Sequence, residues 1–284
     1  MSVATLARYG RSFRLAGRLL PRATLLDAAD LYAFCRTVDD LADEATDASA
    51  ARAALADIRR AIELEDRGHG AAARMLALRD RTGVGLTAAT TLIDTVVDDI
   101  GSVRVAHEAA LLQYAFGVAG TVGQMMCVVL GADDARAEPY AVDLGMAMQL
   151  TNIARDVVED AARDRLYLPA TWLPADLDPS DISNAAGPAF TAVTRVLETA
   201  DGLYRRAELG YRYLPARVRP AIRVAGRLYE EIGHRIMRRG PAHLASARCV
   251  VPVSRKLVLV ATCLGAPSGG ARRGAANSLQ DRTA

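Results

Sequence analysis

The sequence predicts an all-α fold, and three observations carry that prediction. Apolar residues recur at helical spacing over long stretches, as in residues 25–43, where no glycine or proline interrupts the pattern. Strand-like alternation is hard to find; residues 248–253 come closest, and that stretch is short and contains a proline. Hydrophobic residues make up 51% of the 284 residues, which is ample for two domains or one large all-helical unit.

The elements follow from this periodicity and from the turn signals between its segments. Helices are predicted at residues 25–43, 47–65, 71–80, 87–99, 105–130, 139–163, 190–213, 217–239 and 243–264. Residues 174–188 are rich in Pro, Asp, Ser and Gly and are predicted to form a loop. Residues 267–284 are rich in Gly, Arg and Ser and poor in apolar residues, so disorder is predicted there.

The charge balance and the cysteines exclude several classes of protein. A net charge of +2 argues against a nucleic-acid partner, because such proteins normally show a strong basic excess. The four cysteines have no CxxC or zinc-type spacing, which suits a reducing cytoplasm. The arginine-bearing N-terminus lacks the apolar core of a signal peptide, and no stretch reaches the ~20 apolar residues that span a bilayer.

Two acidic helix faces stand out. The first carries Asp39 and Asp43, which at ~100° per residue lie only about 40° apart on the helix surface, one turn from each other. The second carries Asn152, Asp156 and Asp160 at i, i+4 and i+8, a ladder that drifts by only about 80°. Each face therefore presents oxygen ligands from one stripe of a helix.

Such faces are unfavourable unless something positive lies between them. Both segments are apolar on their flanks and are expected to face an interior, where two carboxylates 4 Å apart repel by about 4 kcal/mol at an effective dielectric of ~20. Mg²⁺ prefers oxygen ligands and typically uses one or two carboxylates plus substrate phosphates. Arg36, Arg155 and Arg165 are available to clamp phosphate oxygens. The alternative is a pair of solvated faces with i, i+4 ion pairs; the spacing favours a metal and phosphate site and does not name a reaction.

The motifs that carry these faces resemble those of one enzyme family. Residues 31–44 (LYAFCRTVDDLADE) resemble the first aspartate-rich motif of the squalene/phytoene synthase family. Residues 149–160 (QLTNIARDVVED), followed by RLYLP at 165–169, resemble the second. Between them, residues 114–123 (YAFGVAGTVG) are similar to the glycine-rich helix of the family. The resemblance extends over residues 10–260.

The resemblance implies both a fold and a reaction. The fold is a single all-α domain of the isoprenoid synthase type, here residues 1–266, with helices bundled around a deep central cavity between the two aspartate helices. The reaction joins two allylic prenyl diphosphates head to head (1-1′). Ionisation of one diphosphate leads to a cyclopropylcarbinyl diphosphate, and a second ionisation and ring rearrangement end in proton loss (phytoene type) or hydride capture (squalene type). The resemblance therefore implies a prenyltransferase.

The resemblance also implies roles for individual residues. The implied metal ligands are Asp39, Asp43, Asn152, Asp156 and Asp160. Arg36 and Arg155 would stabilise the departing diphosphate. The remaining implied contacts to substrate, diphosphate or metal-bound water are Ser12, Phe13, Tyr114, Gln149, Arg165 and Tyr229. Tyr114 and Tyr229 are equally compatible with a role as core aromatics, and Phe13 suits a pocket wall better than a chemical role.

Two of the sites that depart from the family pattern are Asp164 and the pair Pro241-Ala242. Asp164 occupies a place where Gly or Asn is usual, so the turn before Arg165 is open to change. Pro241 and Ala242 stand where a Tyr-Asp pair is common. Neither departure removes an implied metal ligand.

Several functional alternatives stay open within the resemblance. The sequence of residues 34–40 (FCRTVDD) resembles that of phytoene synthases most. A phytoene synthase joins two C20 geranylgeranyl diphosphates in the first committed step of carotenoid biosynthesis. Squalene, dehydrosqualene or presqualene diphosphate synthases, which use two C15 farnesyl diphosphates, are the alternative. A non-catalytic assembly factor and a terpene cyclase are more remote. The expected cofactor is Mg²⁺, with Mn²⁺ as a substitute, and a phytoene synthase would need no NADPH.

Location and partners follow from the apolar character of the implied substrates. Peripheral contact with the inner face of the membrane is expected for an otherwise cytoplasmic protein. The apolar C-terminal helix and the arginine-bearing N-terminus are the candidate contact surfaces. Other enzymes of the carotenoid pathway are further candidate partners.

Overall fold

The computed structural model describes residues 15–43, 47–246 and 248–265, and helices dominate these ranges. The α-helices are α1 (Arg22–Asp43), α2 (Ala48–Glu63), α3 (Gly70–Thr82), α4 (Thr87–Asp98), α5 (Glu108–Ala115), α6 (Thr121–Val129), α7 (Ala137–Ala161), α8 (Ala186–Gly210), α9 (Arg219–Arg239) and α10 (Val253–Gly265). A π-helical segment (Phe116–Gly120) joins α5 to α6, and 3-10 turns occupy Ala170–Trp172, Pro179–Asp181, Tyr211–Tyr213 and Gly240–Ala245. The strands are β1 (Val103–Arg104) and β2 (Arg165–Leu166). The all-α prediction is confirmed, and the predicted disorder of residues 267–284 concerns a stretch outside the described ranges.

Local capping interactions set several helix ends. The side chain of Asp47 accepts a hydrogen bond from the backbone N–H of Ser49 at 2.8 Å and so caps the start of α2. His107 does the same for α5, since its Nδ1 accepts from the N–H of Ala110 at 3.2 Å. Gly83 ends α3 in the left-handed conformation, with φ of 78°. The predicted boundaries of the first four helices lie within three residues of the observed ones.

The helical run from α5 through α6 lies at the centre of the bundle because its glycines let neighbouring helices approach closely. A Cβ added at Gly123 would lie 2.3 Å from the carbonyl oxygen of Ala141 on α7, and one at Gly117 would lie 2.2 Å from Oγ1 of Thr95 on α4. Any larger side chain at these two positions would push a helix away. The glycine-rich segment therefore has a packing role.

The helical run from α5 through α6 comes closer to membrane-spanning length than the sequence analysis predicted. Glu108–Val129 forms 22 residues that are long and apolar enough to cross a membrane, by length and composition alone. It packs against α4 and α7, and its residues Ala115 and Met125 are buried in the bundle. A central helix of a globular bundle has these same properties.

The two short strands were not predicted, and they hold the segment after α7 in place. They pair in parallel, with Val103 opposite Arg165. Asp164, which precedes β2, has φ of 60°, in the left-handed region that aspartate tolerates better than most residues. Its carboxylate accepts a hydrogen bond from the Ser102 hydroxyl at 2.5 Å and forms an ion pair with Arg104. Asp164 therefore adopts a left-handed turn before Arg165, and Ser102 and Arg104 hold its carboxylate.

The prediction of one helix over residues 243–264 is wrong in its first half. The chain instead forms the 3-10 turn Gly240–Ala245, continues without regular structure through the described residues up to Pro252, and starts α10 at Val253. Gly240, with φ of 62°, ends α9. Pro252 disfavours the α-conformation of the residue before it, so the helix begins only after the proline.

Candidate active site

The two acidic motifs lie at the same end of the bundle and contact each other. Asp39 and Asp43 occupy the last turns of α1, and Asp156 and Asp160 occupy the last turns of α7. Arg165, in β2, forms an ion pair with Asp43, with 2.6 Å between Nη1 and Oδ1. Because Arg165 follows the second motif in sequence, this contact links the two motifs across 122 residues of chain.

An apolar cavity of about 310 Å³ runs from these motifs into the bundle. Its lining residues on α7 form one continuous helix face: Ala137, Tyr140, Ala141, Leu144, Gly145, Met148, Gln149 and Asn152. Asn152 and Ala137 are fifteen positions apart, which corresponds to about 22 Å at 1.5 Å rise per residue. The lining residues on α1 extend from Asp39 to Leu25, a wall of about 21 Å. The predicted deep cavity between the aspartate helices is confirmed.

The first motif holds a carboxylate that burial makes unfavourable. Burial raises the pKa of Asp39 to about 7, and the charge of Asp43 adds to this shift. Asp39 lines the cavity, and no ion pair to it is found in the described part of the chain. Arg36 forms an i, i+4 ion pair with Asp40 on the same helix. Among the described residues of this motif, the Arg36–Asp40 pair is the one that fits the alternative of a solvated helix face with i, i+4 ion pairs.

The second motif contains one neutralised and one unneutralised aspartate. Asp156 accepts hydrogen bonds from Arg155 at 2.7 and 2.5 Å and from Arg248 at 2.9 and 2.7 Å. Burial would raise the pKa of Asp156, but the hydrogen bonds and charges of both arginines outweigh it and leave the pKa below its usual range. Burial raises the pKa of Asp160 to about 7, and Asp156 adds to the shift. Oδ1 of Asn152 is buried without a hydrogen-bond partner.

These residues fit a divalent cation. Asp39 and Asp160 are carboxylates whose negative charge the surrounding protein does not balance, and Asn152 offers a buried oxygen with no partner. Carboxylate and amide oxygens are the ligands that Mg²⁺ prefers. A cation between the motifs would relieve both the repulsion and the unsatisfied oxygen.

A different cluster brings potential ligand atoms closest together in the described residues. Asp201 on α8 and Glu230 and His234 on α9 place one ligand atom each within 4.8 Å of the others. None of the three lines the cavity, and Glu230 accepts a hydrogen bond from Arg227 at 2.7 Å. The predicted aspartates do not form such a tight group, which is the expected geometry for like charges that repel each other.

Asp99 lies beside the first motif and holds two tyrosines. Its Oδ2 accepts hydrogen bonds from the hydroxyls of Tyr167 at 2.6 Å and Tyr114 at 3.1 Å, and the two rings stack with centroids 4.8 Å apart. Burial raises the pKa of Asp99 to about 6, against the hydrogen bond from Tyr167 and the charge of Arg165. The carboxylate also interacts electrostatically with Asp43. Tyr114 is therefore connected to the first motif by its hydrogen bond to Asp99, and it does not line the cavity.

The remaining predicted residues divide into two groups. Gln149 and Tyr229 line the cavity at its polar end. Tyr229, on α9, interacts electrostatically with Arg155, and burial raises its pKa. Ser12 and Phe13 lie outside the described residues.

Three residues of the site were not predicted from the sequence: Tyr167, Asp99 and Arg248. Tyr167 lies within the quoted RLYLP motif, and Asp99 ends an acidic pair two residues before Gly101, so both had a local signal. Arg248 had none: it lies in an irregular segment 92 residues from the aspartate that it contacts. Only the folded chain brings Arg248 to the second motif.

Comparison with known proteins identifies the family. The squalene/phytoene synthase family matches residues 6–255. The chain is 35% identical over 254 residues to a phytoene synthase of Pseudescherichia vulneris, covering 83% of this chain and 81% of the relative. It is 34% identical over 265 residues to a phytoene synthase of Thermus thermophilus, covering 92% and 91% of the two chains. The protein belongs to the squalene/phytoene synthase family.

Solved structures of similar proteins have the same fold as this chain. A dehydrosqualene synthase superposes with a TM-score of 0.76 at 23% identity, covering 93% of this chain and 94% of its own. The squalene synthase HpnC from Alicyclobacillus acidocaldarius superposes with a TM-score of 0.73 at 22% identity, covering 83% and 91%. The all-α isoprenoid synthase fold implied by the motifs is confirmed.

Proposed function

We propose that this protein joins two geranylgeranyl diphosphates head to head, through a cyclopropylcarbinyl diphosphate, to form phytoene. One observation carries the proposal: an apolar cavity about 22 Å long ends at Asp39 of the first acidic motif and Asn152 of the second, and Arg165 links the two motifs through Asp43. A hydrocarbon chain with a diphosphate head has the same division into one long apolar part and one strongly anionic end. The family's prenyltransferase activity and the relatives named phytoene synthase support the same reaction.

The acidic motifs would hold Mg²⁺ through Asp39, Asp43, Asn152, Asp156 and Asp160. Bound there, the cation supplies Lewis-acid stabilisation of the leaving diphosphate, and Mn²⁺ has the ligand preference to replace it.

Arginines at the mouth of the cavity would bind the diphosphate oxygens that the cation leaves free. Arg155 and Arg165 are largely buried, with side chains 14% and 13% exposed, so their charges are poorly screened by water. Arg248 reaches the same place from the segment before α10. Arg36, which the Asp40 carboxylate holds on α1, is a fourth candidate. Guanidinium groups donate paired hydrogen bonds to phosphate, so they position the diphosphate and stabilise the charge that develops as it departs.

The cavity walls would protect the carbocation from water. The lining is almost entirely aliphatic or aromatic, with Tyr32, Cys35 and Met148 near the polar end. Burial raises the pKa of the Cys35 thiol, so it stays protonated and does not act as a nucleophile. Exclusion of water prevents hydrolysis of the cation before the second chain attacks.

The length of the cavity favours C20 chains over C15 chains. An extended chain advances ~1.2 Å per bond, so an isoprene unit of four bonds spans ~5 Å. A C20 chain is then roughly 19 Å long and a C15 chain roughly 14 Å long. The 22 Å wall of α7 accommodates the longer chain and leaves excess space around the shorter one. The C15 alternative draws support from the dehydrosqualene and squalene synthases among the structural neighbours, whose low identity bears on the fold alone.

Product analysis tests the proposal. The purified protein is incubated with Mg²⁺ and either C15 or C20 diphosphate, with and without NADPH, and released diphosphate and hydrocarbon mass are measured. A C40 hydrocarbon formed from the C20 substrate without NADPH is the expected result. A C30 product formed only from the C15 substrate would support the alternative, a hydrocarbon made from one chain would indicate a cyclase, and no diphosphate release would indicate a non-catalytic scaffold.

We also propose that the outer face of α10 contacts the membrane. Val253, Leu257, Val258 and Leu264 are 73%, 59%, 50% and 52% exposed, and α10 contains no acidic residue. Thirteen helical residues span about 20 Å, too short to cross a bilayer and suited to lying in its interface. The inner face packs through Cys263 on α9, next to the cavity wall. An apolar product could then pass into the lipid without crossing water.

Vesicle binding tests the membrane contact. Leu257→Ser is expected to reduce co-sedimentation of the full chain with anionic phospholipid vesicles. Leu64→Ser, at a 72% exposed leucine that follows α2, is the matched control and is expected to bind like the unaltered protein. Equal binding by both variants would contradict the assignment of the surface. Contact with other carotenoid-pathway enzymes stays a prediction.

A further inference from the structure

We propose that Ala141 on α7 is the position that admits the fourth isoprene unit and so decides between C20 and C15 substrates. This inference rests on the proposed function. It adds a specificity-determining residue that makes no contact with the diphosphate or with a metal ligand. Its basis is the depth of Ala141 along the cavity wall, compared with the lengths of the two chains.

The depth of each lining residue can be measured along α7 because these residues share one helix face. Asn152 marks the polar end of that face, and Ala141 lies eleven positions before it, about 16 Å deeper in the cavity. Ala137 lies fifteen positions before Asn152, about 22 Å deep. A C15 chain of roughly 14 Å ends short of Ala141, whereas a C20 chain of roughly 19 Å passes it and ends short of Ala137.

The small side chain at Ala141 is what keeps the cavity open at that depth. Gly123 on α6 approaches so closely that an added Cβ would lie 2.3 Å from the carbonyl oxygen of Ala141. The backbones of α6 and α7 are therefore in contact at this level, and neither helix can move outward alone without losing that packing. A large side chain at residue 141 would have to occupy the cavity itself.

Below Ala141 the cavity continues past Tyr140 and Ala137 and is lined by apolar residues. Leu130, Leu214 and Tyr211 belong to one buried cluster and also line the cavity. Tyr211 is only 8% exposed, and its hydroxyl oxygen lies 2.7 Å from the place where a Cβ at Gly226 would be. This end holds the last isoprene unit of a C20 chain. A C15 chain does not reach it. Filling the passage at Ala141 would cut the deep end off and leave the rest of the cavity intact.

The test is a pair of identical substitutions one helical turn apart. Ala141→Phe and Ala137→Phe are compared with the unaltered protein in a competition assay that contains both the C15 and the C20 diphosphate with Mg²⁺. The ratio of kcat/KM for C20 to that for C15 is expected to fall on the order of 10–200-fold in Ala141→Phe. The same ratio is expected to stay within about threefold in Ala137→Phe, whatever happens to total turnover, because neither chain reaches that depth.

Two further variants keep the test decisive if a phenylalanine disturbs folding. Ala141→Leu and Ala137→Leu add less volume, and circular dichroism and melting temperature report whether each variant is folded. An unchanged ratio in folded Ala141 variants, or an equal fall in Ala137 variants, would overturn the inference. Absence of prenyltransferase activity would look different, since the unaltered protein would then release diphosphate from neither substrate. A preference of the unaltered protein for C15 would overturn the depth argument itself.

Discussion

Replacing Asp160 by asparagine is expected to stabilise the metal-free protein while it abolishes catalysis. Burial raises the pKa of Asp160 from its ordinary value of 3.8 to about 7. At pH 8 the folded protein must therefore hold an ionised carboxylate that the unfolded chain ionises more easily. At 1.36 kcal/mol per pKa unit, a shift of this size corresponds to at most about 4 kcal/mol of lost stability. Asparagine keeps the shape of the side chain and removes the charge.

The pH dependence has a definite sign. A carboxyl group whose pKa is raised on folding destabilises the protein fully above the folded pKa, here about 7, and progressively less as the pH falls toward the unfolded value. At pH 5.5 about half of the penalty remains, roughly 2 kcal/mol. The advantage of Asp160→Asn over the unaltered protein should accordingly shrink between pH 8 and pH 5.5.

Asp156→Asn is the matched control one helical turn away, and the opposite sign is expected. Arg155 and Arg248 hold the pKa of Asp156 below its usual range, so its ionised form stabilises the fold. Loss of that charge leaves two arginines without their acceptor and is expected to cost about 1–3 kcal/mol at pH 8. Urea unfolding of each variant in EDTA, at pH 8 and at pH 5.5, measures both effects. Destabilisation by Asp160→Asn at pH 8, or the same sign for both variants, would refute the electrostatic reasoning.

Three further predictions address the rest of the site. Asp39→Ala is expected to abolish turnover and leave the helical circular dichroism unchanged; an active variant would contradict its role as a metal ligand. Tyr167→Phe removes a 2.6 Å hydrogen bond to Asp99, which is expected to lower stability by about 1 kcal/mol and to lower kcat, as measured by urea unfolding and steady-state kinetics. Arg248→Gln removes a cation from beside Asp156 and is expected to raise KM for the diphosphate substrate more than it lowers kcat, so an unchanged KM would exclude a binding role.

Most of the fold could be predicted because helical periodicity is a local property of sequence. The apolar stripe of residues 25–43 and the glycine and proline signals between segments were enough to place the helices, and α1 differs from its predicted range by three residues at one end. The prediction is wrong over residues 243–252, because Pro252 inside an apolar stretch delays the start of the helix until Val253. The two-residue strands had no detectable pattern, since two residues are too few to show alternation.

The site was predictable only as far as its ligands follow one another on a single helix. Asp39 and Asp43 share one helix face, as do Asn152, Asp156 and Asp160, so the spacing alone indicated two oxygen-bearing stripes. Arg248 could not be foreseen, because its contact with the second motif depends on the path of an irregular segment after α9. Tyr114 was assigned to the substrate, and the structure shows its hydroxyl bound to Asp99.

The sequence by itself determined which chemistry this protein carries, because charge, ligand type and helical spacing are written in consecutive residues. The tertiary structure decided how that chemistry is arranged. It brought Arg165 to Asp43, left Asp39 and Asp160 partly buried without ion pairs in the described chain, and aligned the lining faces of α1 and α7 into a cavity of a particular length. Burial and cavity depth depend on contacts between distant segments, and no local pattern encodes them.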